Sequence, residues 1–547
     1  MSRKDLNNFH TNNPAEGSLC FIDLFCGCGG FTIGMERSGF QCLAAVDFNL
    51  QAVETLKANL PHIPHVLHRD LTSFAPEELA WMIGRQHVDV IVGGPPCQGF
   101  SSARKRDGAN HGAKLKDDPR RHLYREFLKH IGFFRPRVFV MENVLGIKSA
   151  AGGVYFTRVQ AEARALGYRV HGQVEDAWEL GVPQKRRRQL IVGTRVDLPG
   201  YFLPILQPAP RAIPHTMLGA AICDLPELRA GGGEDECDYD FDRLLEYLCR
   251  KSEVVSNYLL NVLEIDRATK LTNHTARPHS ARDLRDFALL REGETSAVAM
   301  RDYGVEFEFP YDKSSFKDRY TRQSRSKPCS TIVAHLSKDG LMFIHPTQNR
   351  SITPREAARI QSFPDWFRFP AARTHSFRLI GNAVPPLVAE AVGLAVIAYL
   401  GRTENTIIQP ANHTSSMPIP KNEEEALQWL LCLLDLDIYT LRRVSKEDFN
   451  RGWAAISFLY PVLHPDGAPE HGIVSNDVDD HSTLSNADPR LVKPYYEISG
   501  WPVVLVPIAK EAWRRFANGA FEDIKFYRCD AHLEGMRCRN PELFECV

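Results

Sequence analysis

No stretch of this sequence reaches the roughly 20 uninterrupted apolar residues that a membrane-spanning helix needs. The most apolar run, Val384 to Leu400, contains Pro385, Pro386 and Glu390 and reads as a buried helix. Neither sign of charge is in excess: 66 Lys and Arg stand against 67 Asp and Glu, a net charge of −1. A polyanion could therefore be held only by local basic patches. No repeat of solenoid or propeller period stands out. No lipidation signal is visible, and Met1-Ser2-Arg3-Lys4-Asp5 does not open an apolar signal segment. The 13 cysteines are odd in number and scattered, which suits reduced thiols and a cytoplasmic setting better than a disulfide framework. What is present is an ordinary globular balance, 44% hydrophobic and 24% charged over 547 residues. That length suffices for roughly two to four domains with a sizeable core.

From Leu19 to about Arg195 short apolar runs alternate with amphipathic stretches: Leu19 to Phe25, Cys42 to Asp47, Val88 to Val92, Val138 to Glu142 and Gln189 to Val192. This alternation predicts an α/β domain, a parallel sheet wrapped by helices. The rhythm is lost between about Asp197 and Arg325, where His274, Arg277, His279, Arg282, Arg285, Arg291, Arg301 and Arg319 accumulate. It resumes near Thr331, with helices expected at Thr353 to Ser362 and Leu387 to Leu400. The expected organisation is an arm (1–17), a first catalytic part (18–196), an inserted module (197–330), a second catalytic part (331–402), a linker (403–422) and a C-terminal accessory domain (423–547). The last is expected to open with a helix from Glu423 to Leu434 and to carry a polar loop at Gly467 to Asp488.

The first apolar run enters Cys26-Gly27-Cys28-Gly29-Gly30-Phe31-Thr32. Glycines between a strand and a helix let a ligand approach the backbone at the helix N-terminus. The dinucleotide pattern would need glycine at 32, where Thr32 stands, so a pyrophosphate is not demanded. Asp47, at the end of the next strand, can accept from a ribose. Asp70, closing a plausible third strand, could meet an adenine amino group. Together with Asp23 these specify an adenosyl ligand.

The fourth run leads into Gly93-Gly94-Pro95-Pro96-Cys97-Gln98-Gly99-Phe100-Ser101. Prolines stiffen this turn and fix where Cys97 points, and a thiol at the carboxyl end of a parallel strand is well placed as a nucleophile. Glu142 interrupts the apolar run of Val138 to Val144; an unpaired carboxylate there would favour its protonated form and serve as a proton donor. In Gln184-Lys185-Arg186-Arg187-Arg188, strand alternation puts Gln184, Arg186 and Arg188 on one face and Lys185 and Arg187 on the other.

These motifs, in this order, resemble those of the DNA (cytosine-5)-methyltransferase family: Asp23 to Phe31, Gly94 to Ser101, Glu142-Asn143-Val144, Gln184 to Arg188, Thr353 to Pro364 and Ile380 to Pro386. The resemblance spans about Leu19 to Gly401 without most of the central module. It implies a Rossmann-like sheet split by a target-recognition insertion, with S-adenosyl-L-methionine held by Asp23, Phe25, Gly27, Gly29, Gly30, Asp47, Asp70, Pro96 and Asn382. It implies catalysis by Cys97, Glu142, Arg186 and Arg188, with the two arginines holding the loop and the base. Gln98, Ser101 and Gln184 would contact DNA, and the central module would read base edges. Double-stranded DNA is the implied partner, acted on by a monomer that could accompany a restriction endonuclease. A tRNA cytosine methyltransferase shares the catalytic motifs, but its recognition region is short. Asp47 stands where the family more often has Glu, and the tail beyond Arg402 has no family counterpart. Cys529, His532, Cys538 and Cys546 could in principle hold zinc, but their spacing is irregular and no metal site is expected.

Overall fold

The computed structural model describes residues 19–85, 87–96, 122–148, 154–195, 198, 206–308, 320–338 and 340–405, and four strands beyond them. The chain forms two compact units, Met1–Val196 with Pro204–Gly401, and Asp197–Leu203 with Arg402–Val547.

In the first unit the apolar runs become β1 (Cys20–Leu24), β2 (Gln41–Asp47), β3 (His65–His68), β4 (Val90–Gly93), β5 (Val138–Asn143), β6 (Tyr168–Asp176) and β7 (Arg187–Arg195). They form one seven-stranded sheet in the order β3-β2-β1-β4-β5-β7-β6. Strands β1 to β5 are parallel. The helices α1 (Gly30–Ser38), α2 (Leu50–Asn59), α3 (Pro76–Ile83), α4 (Tyr124–Phe134) and α5 (Val154–Ala165) lie between consecutive strands. Ile22, Leu24, Ala44, Val46, Ile91, Phe127, Ile131, Phe139 and Met141 belong to its buried core. A row of paired residues, Leu67, Val46, Leu24, Gly93 and Met141, crosses the sheet just below its carboxyl edge.

The sheet departs from the all-parallel expectation at one side. β7 runs antiparallel to β5 and to β6. The departure has a functional consequence: a parallel β7 would begin at the opposite edge, whereas the antiparallel strand brings its first residues, Arg187 and Arg188, to the edge where β1, β4 and β5 end. β6, not foreseen, is the outer strand that lets β7 be sandwiched. β3 ends at His68, so Asp70 lies in the turn after it rather than closing the strand.

Residues 206–308 and 320–344 are poor in sheet, with one pair, β8 (Glu236–Asp238) against β9 (Lys270–Thr272). Phe287, Leu290, Phe307, Tyr320, Leu341 and Ile344 give them a small core of their own. Three helices follow: α6 (Pro354–Ile360), α7 (Arg373–Asn382) and α8 (Pro386–Asn405). Thr353 caps α6 reciprocally with Glu356: Thr353 Oγ1 accepts from the Glu356 amide at 3.2 Å, and the Thr353 amide donates to Glu356 Oε2 at 2.7 Å. α8 takes in the first three residues of the expected linker. The apolar stretch it carries is a core helix, with 78% of its most apolar window buried.

Helix α6 is an electrostatic hub. Arg350 forks onto Glu356 at 2.7 and 2.9 Å, and Arg359 bonds both Asp365 and Asp224. Arg355 donates to the carbonyl of Thr272 at 2.9 Å and that of Phe367 at 2.8 Å. All three guanidiniums are fully buried. Because Asp224 and Thr272 belong to the central module, α6 fastens that module to the catalytic part.

The second unit contains a four-stranded sheet, β10 (Leu441–Arg443), β11 (Ile456–Pro461), β12 (Tyr495–Ile498) and β13 (Trp501–Ile508), ordered β10-β12-β13-β11. β11 pairs parallel to β13, the other pairs being antiparallel. These strands were not foreseen in the sequence. The expected helix at 423–434, the loop at 467–488 and the four possible zinc ligands lie outside the described residues.

Candidate active site

The glycine turn leaves β1 with Phe25 at φ 59° and Gly27 at φ 55°. A non-glycine residue in the left-handed region stores strain of order 1–3 kcal/mol, and such residues cluster at ligand sites. Gly27 donates its amide to Asp47 Oδ2 at 2.8 Å, and Asp47 Oδ1 accepts from the Asn49 amide at 2.7 Å. The carboxylate of β2 thus closes the turn after β1. A Cβ on Gly27 would meet open space, but one on Gly29 would collide with Leu56 and one on Gly30 with the carbonyl of Val384. Gly30 is therefore required by packing against backbone and Gly29 by its left-handed φ of 91°, whereas Gly27 borders open space. Asp23 is buried, with Thr32 Oγ1 donating to its Oδ2 at 2.7 Å and no partner for its Oδ1 among the described residues. Burial pushes its pKa up to about 7, with the neighbouring Asp47 adding to the rise. Thr32, noted in the sequence only for spoiling the dinucleotide pattern, is the partner of this carboxyl. Asp70 is exposed, and its Oδ1 accepts from the amide and hydroxyl of Thr72.

Beside Asp47 stands a residue the sequence reading missed. The Phe48 ring is 70% exposed, while its carbonyl accepts from His68 Nε2 at 2.8 Å. An aromatic immediately past the last carboxylate of a strand was the signal that could have found it.

On the other side of β1, β4 exits through Gly94, Pro95 and the half-buried Pro96. Asn143 Nδ2 donates to the Pro95 carbonyl at 3.2 Å, tying the end of β5 to this exit. A Cβ on Gly94 would stand 3.4 Å from Glu142 Oε2, so the two strand ends adjoin. Cys97, Gln98 and Ser101 follow directly but lie outside the described residues.

The expectation of an unpaired Glu142 is corrected. Its Oε1 lies 3.0 Å from Arg188 Nε, with side-chain exposures of 12% and 17%. The register explains the pair: Glu142 faces Leu190 across the ladder, so Arg188 is its diagonal neighbour on the same face. On β6, Glu175 stands opposite Arg188. Burial pushes the Glu175 carboxyl up to about 7.

The alternation expected of Gln184 to Arg188 is present, with Lys185 and Arg187 exposed and the other three turned inward. Two of the roles foreseen for them change. Gln184, expected to touch DNA, is fully buried. Its Nε2 donates to Gln361 Oε1 at 2.5 Å and to the Ile360 carbonyl, and its Oε1 accepts from the Ile332 amide at 3.0 Å. Arg186, expected to hold the loop and base, is buried and donates to the carbonyls of Ile332, Gly381 and Ala383 at 2.7, 3.2 and 2.8 Å. Asn382, between the last two, is exposed.

The central module is corrected in the same way. His274 is buried between Thr353 Oγ1 and the Pro226 carbonyl. Arg277 donates to the carbonyls of Leu336, Ser337 and Lys338. His279 is within 3.0 Å of Ser351 Oγ, and burial lowers its pKa to about 4. These three build the module rather than present it. Arg282, Arg285 and Arg301 are paired with Asp283, Glu308 and Asp302. Arg291 instead lies with its guanidinium carbon 3.9 Å from the Tyr303 ring centroid, both exposed. Arg319 lies outside the described residues.

A strand order with β1 and β4 adjacent at the centre, a glycine turn closed by a carboxylate at its carboxyl edge, and an antiparallel β7 define a Rossmann-like methyltransferase. Residues 19–398 match the profile of the C-5 cytosine-specific DNA methylase family. The chain belongs to that family and is a DNA cytosine-5 methyltransferase. It is 34% identical over 394 residues to the type II methyltransferase M.DdeI of Desulfomicrobium norvegicum, covering 69% of this chain and 88% of that protein. It is 32% identical to M1.HphI of Haemophilus parahaemolyticus, covering 70% and 87%. A crystal structure of a DNA modification methyltransferase encoded within an E. coli prophage superposes with a TM-score of 0.55 at 27% identity, covering 70% of this chain and all of that one.

Proposed function

We propose that the protein transfers a methyl group from S-adenosyl-L-methionine to carbon 5 of a cytosine flipped out of a specific duplex DNA sequence, through a covalent Cys97 adduct. The observation that carries this reading is the junction of the β4 exit with the end of β5. Asn143 holds the Pro95 carbonyl, two residues before Cys97, beside the Glu142–Arg188 pair. The Cys97 thiolate adds to carbon 6 of the base while Glu142 stabilises the charge arriving at ring nitrogen 3. Arg188 orients Glu142 and faces the base oxygen. Carbon 5, now nucleophilic, takes the methyl group, and loss of its proton expels the thiolate. The donor's sulfonium supplies an electrophilic methyl group. Gly27, Asp47 and Asp70 offer a backbone cradle and two carboxylates for an adenosyl moiety, Phe48 a face for its base, and Pro96 and Asn382 the rim. Gln98 and Ser101 contact the strand. Flipping costs a few kcal/mol, recovered from contacts to the extruded base.

Site choice belongs to the central module, and Lys185 and Arg187, exposed on the far face of the basic segment, suit phosphate contacts. The protein acts as a monomer on cytoplasmic DNA, in company with a cognate endonuclease, and residues 423–547 are accessory. The test is transfer of labelled methyl groups to duplex DNA and to tRNA, followed by bisulfite sequencing of the DNA. Modification of one cytosine within a fixed DNA sequence is expected. Labelling of tRNA alone would replace this reading with RNA methylation.

A further inference from the structure

Arg186 and Arg188 are two residues apart, face the same way, and do different work. Arg188 pairs with Glu142, the carboxyl expected at the target base. Arg186 reaches in the other direction, to the carbonyls that flank Asn382. The next carbonyl along, that of Val384, is packed so closely on α1 that a Cβ at Gly30 would lie 2.1 Å from it. Cys28 Sγ approaches the carbonyl of Leu379, on the same helix as Asn382, at 3.7 Å. The end of α7 is thus held from one side by the glycine turn and from the other by the Arg186 guanidinium, with Gln361 Nε2 donating to the Ile380 carbonyl at 2.7 Å one residue earlier. Asn382 points to solvent between the two carbonyls that Arg186 fixes.

We propose that Arg186 is a positioning residue for the cofactor rim, holding the backbone on both sides of Asn382 so that its amide is presented beside the glycine turn. This inference rests on the adenosyl-binding reading of that cleft and extends it to a residue with no surface of its own there. Three carbonyls suit a guanidinium, whose planar array of five N–H donors can serve several acceptors at once. An ammonium at the same place keeps the charge but loses that geometry. Gln184 supplies an internal control, because it engages Ile332, Ile360 and Gln361 in the same buried junction and reaches α7 only through Gln361, which bonds the Ile380 carbonyl and neither of the carbonyls beside Asn382.

The experiment is a double-mutant cycle on the full-length protein, with S-adenosyl-L-methionine affinity measured by calorimetry. Arg186→Lys and Asn382→Ala are each expected to weaken binding about ten-fold, and the double variant by no more than the weaker single variant. Turnover at saturating donor should stay within about three-fold, and Gln184→Met should lower melting temperature while leaving donor affinity unchanged. Additive losses in the double variant, or an Arg186→Lys that lowers turnover at unchanged donor affinity, would overturn the proposal. Hydrogen exchange on the wild-type protein keeps it testable should Arg186→Lys fail to fold. Added donor should slow exchange at residues 379–385 and 184–188 together with 27–34, and protection confined to 27–34 would refute it. A wild-type protein that binds no donor would instead overturn the reading of the cleft itself.

Discussion

Arg188 Nε stands 3.0 Å from Glu142 Oε1 because two strands running in opposite directions bring the end of one beside the start of the other. Glu142 is therefore an oriented carboxyl whose second oxygen, Oε2, faces the loop exit at Gly94. Glu142→Gln keeps the shape and removes the ionisable group. It should lower the single-turnover methylation rate by about 10²–10⁴-fold, with DNA affinity within a few-fold of wild type. A rate within ten-fold of wild type would remove Glu142 from the chemistry.

Asp23 gives the protein a pH signature. Its carboxyl is raised to about 7 in the fold by burial, whereas the unfolded chain titrates near 4. Between those values the native state holds the extra proton, so this group lowers stability as pH rises from about 4 to 7, by at most about 1.4 kcal/mol per pH unit. Melting of wild type and Asp23→Asn across pH 5 to 8 should show the variant gaining on wild type as pH increases. Parallel curves would place the Asp23 titration below that window.

Much of this architecture was legible. Short apolar runs ended at the carboxyl edge of the sheet, and the motif residues at those ends specified the turn at Gly27, the Asp47 carboxylate and Glu142. What was not legible came from partners distant in sequence. The local pattern of Gln189 to Val192 says strand but not direction, since polarity depends on the β5 and β6 ladders. The partner of Glu142 lies 46 residues away, so its pairing could not be read from the strand that carries it. His274, Arg277 and His279 looked like a readout surface because composition cannot separate a solvated arginine from one capping carbonyls. The tail's strands carry no family motif, and their pairing spans intervals of up to roughly 60 residues.

Arg359 tests the hub. It is fully buried against Asp224 and Asp365, whose side chains are each 1% exposed. Arg359→Met leaves the buried Asp224 carboxylate without its guanidinium and Asp365 with only Arg355, 3.5 Å away, and should destabilise the protein by about 3–5 kcal/mol. Arg267→Ala, which breaks an exposed pair with Asp242, should cost no more than about 1 kcal/mol. Urea denaturation of both variants makes the comparison; equal losses would deny α6 its role as the fastening of the central module.

Arg291 tests recognition. Stacking on Tyr303 orients its guanidinium face and leaves the edge donors without a partner among the described residues, the geometry suited to a guanine O6/N7 pair. Arg291→Ala should relax preference at one position of the methylated sequence by about 5- to 100-fold, read by bisulfite sequencing of a randomised duplex library. An unchanged sequence profile would move readout to other residues.

The central claim is that Cys97 forms a bond to the target base. Duplex DNA carrying 5-fluorocytosine at the methylated position, incubated with the protein and S-adenosyl-L-methionine, blocks the final elimination because fluorine replaces the proton that must leave. Mass spectrometry of the digested complex should find the peptide containing Cys97 joined to a methylated fluorocytosine, and Cys97→Ser should give neither adduct nor product. Methylation of ordinary DNA at the wild-type rate by Cys97→Ser, or an adduct on another residue, would contradict the account.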